Sequence, residues 1–455
     1  MSRLIYPTAL TIAGVDSGGG AGIAADLKTF AALGVHGMVA VTSVTAQNTL
    51  GVRAVYDLPP EMVAKQIEAV AEDLGVDAAK TGMLSNSSIV KVVAECVKRY
   101  KFPLVVDPVM VAKSGAPLLR EDAVKTLIDE LIPLAEVVTP NRFEAEKITG
   151  MKIKSVEDAR KAARIIVDDL GARAAVVKGG HLEGDYAIDV LYYEGRYYEY
   201  KAPRIHGGCT HGTGCSFSAA IAACIAKGKS IPEAVKIAKQ LVHAAIEYGI
   251  RRGHGHCSVN PMALVDIKSQ LHDAQESIEK SLNKLIEASS LVAEYVPEVG
   301  MNIVEAIDPK YAKSLNHVVG VEGRIRRGLK GLLVCGRIKP GASSHLARLV
   351  LAALKRDPRI RAAVNIAYKP EVVEAARRLG LKVVYVDRSR EPQDVASIEG
   401  RSMEWIISQA FRDTTPDVIY DEGAHGKEPM IRILGVNALD AVNKLLRILR
   451  EARRS

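Results

Sequence analysis

The stretch Gly207–Ala220, GGCTHGTGCSFSAA, packs four glycines against the start of a helix-forming run. The spacing predicts a helix over 213–227, which puts the backbone N–H groups of Gly212, Thr213, Gly214 and Cys215 at its N-terminus. Unpaired donors and the helix dipole there favour an anion, such as an oxyanion or a phosphoryl oxygen. A phosphoryl group in transfer needs positioning and charge compensation more than covalent help. Cys215 stands where such chemistry would place a carboxylate or a lysine. The helix dipole and nearby donors are expected to lower the pKa of that thiol, so that its thiolate can take a proton from an attacking hydroxyl or phosphate. Taken alone, a helix cysteine is more often a small buried hydrophobe.

A second glycine-rich segment, AGVDSGGGAGIAADLKTF (13–30), follows a strand-like run and opens a helix. It lacks the Gly-Lys-Ser/Thr ending of a Walker A loop and the spacing of a dinucleotide-binding fingerprint. Its glycines let backbone approach a ligand closely. Asp26, a helical turn later, can accept hydrogen bonds from a small polar ring. Apolar strand-like runs at 9–14, 37–45, 77–82, 103–108, 136–140 and 174–180 alternate with amphipathic stretches such as 60–74 and 85–100. Strands apolar throughout and separated by helices indicate a mostly parallel sheet covered on both faces, an α/β three-layer domain. A hairpin is expected over 187–202 with its turn at Glu194-Gly195, followed by helices at 213–227 and 231–251.

The chain has 455 residues, enough for two cores. We place the boundary near 265, with 266–279 as a linker and the start of a connecting helix. Residues 280–455 then form a second, smaller α/β domain, with runs at 331–338, 362–368, 382–388, 417–423 and 430–435 alternating with helical patterns. Residues 1–275 carry 31 basic against 30 acidic side chains, whereas 276–455 carry 30 against 23. The second part therefore favours an anionic partner. The six cysteines form no CxxC pair, which argues against a disulfide framework and a zinc ribbon. The group His254, His256, Cys257 reads as a polar loop. No apolar run approaches the roughly 18 residues of a membrane helix. The N-terminus runs straight into a strand without a signal-peptide pattern, so the cytoplasm is the expected compartment.

The segment 13–30, TAQNT (45–49), KTGML (80–84), DPVM (107–110), TPNRFEAEKITG (139–150), VVKGGH (176–181) and THGTGCSFSAA (210–220) occur in that order. Together they closely resemble the hydroxymethylpyrimidine and hydroxymethylpyrimidine-phosphate kinases of thiamine biosynthesis, within the ribokinase-like superfamily. The resemblance covers about residues 6–262. It implies a pyrimidine pocket of Gly14, Asp26, Gln47 and Met83, with Asp107 and Glu144 near Mg²⁺. Asn141, Lys178, Gly212, Thr213 and Gly214 would hold ATP phosphates, and Cys215 would act as base. One departure is DSGGGAGIAADL (16–27), with Gly18 and Ala24 where the relatives commonly read DSSGGAGIQADL.

Three later clusters stand out, at 316–328, 336–350 (GRIKPGASSHLARLV) and 421–435 (DEGAHGKEPMIRILG). Gly341, Ser343 and Ser344 precede a helix, with Arg337 and Lys339 nearby, so an anion site there competes with a plain N-cap in a basic loop. Asp421, Glu422, His425 and Lys427 form an unusual mix for a turn. The clusters resemble the archaeal-type thiamine phosphate synthase domain over about 280–455. That resemblance implies catalytic roles for Arg324, gripping a departing diphosphate, and His345, as proton donor or hydrogen-bond donor. The expected partners are small molecules (the aminopyrimidine alcohol or phosphate, ATP and a thiazole phosphate), with neither nucleic acid nor membrane. The expected assembly is a homo-oligomer, a dimer being one form. Two alternatives remain: a non-catalytic thiamine-phosphate sensor at the C-terminal end, or a pyridoxal kinase at the N-terminal end.

Overall fold

The computed structural model describes residues 6–112, 115, 117–180, 184–329, 331–396, 398, 400–424 and 426–454. The chain divides into two compact units, Met1–Val265 and Asp266–Ser455.

In unit 1 the strands are β1 (Thr8–Asp16), β2 (His36–Asn48), β3 (Gly51–Asp57), β4 (Ala78–Thr81), β5 (Leu104–Val106), β6 (Val137–Val138), β7 (Ala174–Val177), β8 (Tyr186–Tyr193) and β9 (Arg196–Pro203). They form one sheet in the order β3-β2-β1-β4-β5-β6-β7-β8-β9. Strands β2, β1, β4, β5, β6 and β7 run parallel, and antiparallel strands sit at both ends. The inner strands are apolar because helices cover both faces. Leu104 and Val106 pack with Ile89, Val93 and Ile166 on one side, while Val105 packs with Phe217, Ile221 and Val235 on the other. The hairpin turns at Glu194 and Gly195, both with positive φ (50° and 70°), the geometry that matches strand twist in a two-residue turn. The strand β3 has no counterpart in the sequence reading. Its side chains are largely exposed, so no apolar pattern announces it.

Unit 2 opens with the helix Ala263–Glu287, which runs through residues 266–279, where the connecting helix was expected to start, and buries Ala274 and Ile278 in the unit's core. Its strands are β10 (Ile303–Ala306), β11 (Val318–Val321), β12 (Ile325–Gly328), β13 (Gly331–Val334), β14 (Ile338–Pro340), β15 (Ala362–Ala367), β16 (Val383–Tyr385), β17 (Val418–Asp421) and β18 (Met430–Gly435). The main sheet runs β14-β11-β10-β15-β18-β17-β16, parallel at β16–β17 and antiparallel elsewhere, with β12–β13 a separate ribbon. The run at 331–338, expected as one strand, is therefore two strands in different sheets. The break falls at Gly336, where an added Cβ would lie 2.5 Å from the Glu322 carbonyl oxygen. One face of the main sheet packs Ile303, Val364 and Ile433 against the helices Ala263–Glu287 and Ala438–Ala452. The other packs Val304, Ala363, Ile419 and Leu434 against Ser344–Leu354 and Arg401–Ala410. Among the described residues no helix is long and apolar enough to cross a membrane.

Candidate active sites

The carboxyl ends of the parallel strands in unit 1 deliver polar groups, as is general for such sheets. Asp107 follows β5, and its carboxylate lies 3.2 Å from Lys178 Nζ, which follows β7. It also accepts from Ser218 Oγ at 3.3 Å and Thr139 Oγ1 at 3.4 Å. Asn141 caps the helix Arg142–Thr149 and forms a capping box with Glu144, with bonds of 3.0 and 2.7 Å. Burial pushes the Glu144 carboxyl up to about 7, against the pull of Lys178 and with the repulsion of Asp107. Burial works against the Lys178 ammonium, yet the charges of Asp107 and Glu144 raise its pKa above the usual lysine range.

The helix Thr213–Ala226 starts from Gly212, whose φ is +86°. A Cβ there would meet the Gly20 carbonyl oxygen at 1.8 Å, so only glycine fits where this loop touches the 16–22 loop. Thr213 N–H bonds Thr210 O, and the first helical bond runs from Ser216 N–H to Gly212 O. The N–H groups of Gly214 and Cys215 therefore stand in the open first turn. A Cβ on Gly214 would lie 3.4 Å from Lys178 Nζ and 3.6 Å from Asp107 Oδ2, which places the turn beside those charges.

Cys215 Sγ accepts the Gly22 N–H at 3.4 Å. Its pKa runs opposite to the expectation. Burial pushes the thiol up to about 11, and the neighbouring carboxylates of Asp26 and Asp107 add to this. The charge of Lys80 and the Gly22 N–H pull the other way without winning. Desolvation thus outweighs the helix terminus in the ligand-free protein.

Gly14 and Gln47 both sit at irregularities of the sheet, a register shift between Ala13 and Val15 in β1 and another between Ala46 and Gln47 in β2. Such bulges re-aim residues beside sites. Met83 Sδ lies 3.1 Å from where a Gly14 Cβ would be. Asp26 and Lys80 are wholly buried and 2.9 Å apart, and Thr11 Oγ1 donates to the same Asp26 oxygen at 2.6 Å. The other oxygen, Asp26 Oδ1, is buried without a partner. An orphaned acceptor of this kind fits a bound donor such as a ring amine. Lys80 escaped the sequence reading although it begins the quoted KTGML.

Two more residues were missed inside quoted segments. Asp16 accepts N–H groups of Gly18, Gly20 and Ala21 at 2.8, 3.1 and 2.9 Å, and His211 Nε2 lies 2.9 Å from it. One carboxylate therefore ties the loop leading to Asp26 to the loop leading to Cys215. The cysteine expectation also needs correction, because Cys209 and Cys257 form a disulfide across a separation of 48 residues. Spacing along the chain could not reveal a pair made by two distant loops. Backbone bonds run alongside it, from His211 N–H to Cys257 O and from Val259 N–H to His211 O. His181 lies outside the described residues.

In unit 2, His345 is the second residue of the helix Ser344–Leu354, with Ser343 at the N-cap making no side-chain cap bond. Arg324 is left-handed (φ +71°) and donates through Nη1 to Val299 O. Partial desolvation, then the charges of Arg432, Arg388, Arg324 and Arg348, hold the His345 imidazole below its usual range. His345 is thus neutral near pH 7, which favours hydrogen-bond donation over proton donation. Arg324 and His345 share one electrostatic neighbourhood, as does a buried group the sequence reading missed. Arg432 Nη1 lies 2.6 Å and Arg388 Nη1 3.8 Å from Asp421 Oδ2, and Arg388 Nη2 lies 3.0 Å from Glu391 Oε2. Lys427 Nζ is 2.9 Å from the same Glu391 oxygen. Lys339 pairs with Glu322, and Arg337 and Ser344 are exposed. Glu422 accepts from Tyr368 OH at 2.9 Å. His425 lies outside the described residues. Nothing in the pattern of 382–391 marks Arg388 and Glu391 in advance.

Residues 16–260 match the phosphomethylpyrimidine kinase family, and residues 277–447 match the thiamine-phosphate synthase ThiN. The hydroxymethylpyrimidine/phosphomethylpyrimidine kinase of Bacillus subtilis is 49% identical over 257 residues, 56% of this chain and 94% of that protein. The thiamine biosynthesis bifunctional protein ThiED of Geobacter sulfurreducens is 46% identical over 263 residues, 57% of this chain and 54% of that protein. Among solved structures, an ADP complex of B. subtilis pyridoxal kinase superposes with a TM-score of 0.54 at 39% identity, covering 57% of this chain and 99% of that one. The Staphylococcus aureus pyridoxal kinase with AMP-PCP and pyridoxal gives 0.53 at 38%, covering 57% and 94%. The chain belongs to the phosphomethylpyrimidine kinase family and carries a thiamine-phosphate synthase domain behind the kinase, as a bifunctional enzyme of thiamine biosynthesis.

Proposed function

We propose that unit 1 transfers the γ-phosphoryl group of ATP to 4-amino-5-hydroxymethyl-2-methylpyrimidine and then to its monophosphate, giving the diphosphate. The observation that carries this reading is the pairing of an open helix N-terminus ending on Cys215 with the orphaned Asp26 Oδ1. The first can hold a transferring phosphoryl group, and the second can accept from the amine of the pyrimidine. In the first transfer the substrate hydroxyl oxygen bonds to phosphorus, the bond to ADP breaks, and the hydroxyl proton passes to the thiolate form of Cys215, leaving a neutral thiol. Lys178 offsets charge on the phosphates, and Lys80 lies within electrostatic reach of the thiolate. Asp107 and Glu144 fit a divalent cation. Both are buried, and a carboxyl poised near neutrality beside a second one is a donor set that a cation satisfies. Among the described residues no group of three or more His, Cys, Asp or Glu side chains could hold a metal ion by itself, and Mg²⁺ would keep several of its waters. When bound it would neutralise charge on the phosphates.

In unit 2 the carbon–oxygen bond of the pyrimidine diphosphate breaks with its electron pair leaving on diphosphate. The resulting pyrimidinylmethyl cation is attacked by the thiazole nitrogen, giving thiamine phosphate. Arg324 grips the leaving group and neutral His345 donates a hydrogen bond to it.

The test incubates the full chain with the pyrimidine alcohol, ATP, Mg²⁺ and thiazole phosphate. Thiamine phosphate is the expected product. Supplying pyrimidine diphosphate to the Cys215→Ala chain isolates the second reaction, and no product there would leave unit 2 as a sensor. Competing the pyrimidine alcohol against pyridoxal under limiting ATP decides between the two kinase specificities.

A further inference from the structure

Asp16, His211, Gln47 and Thr45 form a chain of side chains whose proton inventory is over-determined. Three backbone N–H groups already point into the Asp16 carboxylate, and hydrogen bonds from His211, Gly18 and Ala21 keep it ionised in spite of burial. A carboxylate so placed only accepts, so His211 Nε2, at 2.9 Å, carries a hydrogen. Gln47 Nε2 lies 3.4 Å from that same His211 Nε2, which sets a donor against a donor. At the other end of the amide, Gln47 Oε1 lies 3.4 Å from Thr45 Oγ1. The Thr45 hydroxyl has one hydrogen, and it is spent on Val15 O at 2.9 Å. In this orientation both ends of the amide are mismatched. Turning it over gives its nitrogen the free lone pair of Thr45 Oγ1 and sets its oxygen against the N–H edge of His211, whose one hydrogen it shares with Asp16. Amide oxygen and nitrogen have the same shape, so the hydrogen-bond network has to assign them.

We infer that the Asp16–His211 pair locks the Gln47 amide with its oxygen toward His211 and its nitrogen toward Thr45, making His211 a specificity-determining positioning residue for the ring substrate. With that orientation fixed, the amide offers a ring its remaining lone pair and its remaining N–H in one order only. The Gln47 backbone is held as well, since Ser17 Oγ donates to Gln47 O at 2.7 Å and accepts from Gln47 N–H at 2.8 Å. Rotation of the side-chain amide is therefore the freedom that His211 removes. The same pair joins the glycine loop to the loop of Cys215, so ring recognition and the base are set by one hydrogen-bonded pair. This rests on the pyrimidine-kinase reading of unit 1 for its substrate arm, although the protonation arm stands without it.

Two measurements test it. In ¹⁵N-histidine-labelled full chain, with the His211 signals assigned by their loss in His211→Leu, long-range ¹H–¹⁵N spectra between pH 7 and 9 should show Nε2 protonated. A neutral ring protonated at Nδ1 alone would overturn the inference, whatever the protein phosphorylates. The second measurement is the ratio of kcat/KM for the pyrimidine alcohol over pyridoxal. His211→Leu should lower that ratio about tenfold, the worth of one mis-set hydrogen bond, and His211→Gln, which keeps a donor, should restore part of it. A loss of rate equal for both alcohols, with the ratio unchanged, would reduce His211 to a structural clip. Should the wild-type chain phosphorylate neither alcohol, the pyrimidine-kinase reading fails and the spectra still decide the inference.

Discussion

The two sites handle charge in different ways. In unit 1 basic side chains near the site are matched with carboxylates: Lys80 with Asp26, Lys178 with Asp107, His211 with Asp16. In the proposed mechanism anion binding is left to backbone N–H groups at a helix start. In unit 2 the positive charges outnumber the negative ones, with Arg324, Arg348, Arg388, Arg432 and Lys427 gathered near Asp421 and Glu391. A phosphoryl group in transfer calls for positioned donors together with charge compensation. A departing diphosphate gains charge as its bond breaks, and fixed guanidinium groups stabilise that gain. The difference predicts separable failures.

The largest effect is expected at Cys215. Cys215→Ala should slow the kinase by about 10³-fold, within the range of a lost general base, with pyrimidine binding retained by calorimetry. Condensation from supplied pyrimidine diphosphate should be untouched. Kinase turnover near normal would remove the base role. Next comes the buried pair. Lys80→Met strips the buried Asp26, whose pKa burial already raises, of its counter-charge, and breaking such a pair costs about 3–5 kcal/mol. The loss should appear in the denaturant transition that abolishes kinase activity. The double variant Lys80→Met with Asp26→Leu should recover much of that stability while remaining inactive, because the orphaned acceptor goes with it.

Unit 2 should respond in a complementary way. Arg324→Ala and His345→Ala should each slow condensation by about 10²-fold, the scale of one lost charge-stabilising donor, with kinase rates unchanged. Equal losses in both reactions would mean that the substitutions act through folding and that the two sites are not independent.

The sequence carried much of unit 1 because its signals are local. Alternating apolar runs specify covered parallel strands, and ordered glycine segments fall at strand ends. What stayed hidden depends on contacts between distant segments. Lys80 lies in a run that reads as an ordinary strand, and its role appears only when β4 brings it against Asp26. Cys209 and Cys257 are joined by the folding of two loops. The sign of the Cys215 shift was misjudged because helix position is visible along the chain and burial is not. In unit 2 the mainly antiparallel sheet weakened the alternation signal. The short central strand β10 carries Glu305 among its four buried residues, which masks it as a core strand.

The last expected effect separates the sites by pH alone. The free Cys215 thiol titrates near 11, so raising pH increases its reactive thiolate throughout the neutral range. Because kcat/KM reports the free enzyme, the kinase should gain about tenfold per pH unit between 7 and 9. His345 is held below its usual range and is already neutral there, so condensation should stay flat over the same interval. Stability carries a matching sign. An unfolded cysteine ionises at about 8.5, whereas the folded thiol resists ionisation to about 11. Its contribution is complete below the first value and is lost as pH rises through the second. Cys215→Ser should remove that alkaline component and leave the acid side of the stability profile alone. A kinase profile that levels off before pH 8 would mean the thiol is not the titrating base, and the contrast between the two sites would then rest on their arginines alone.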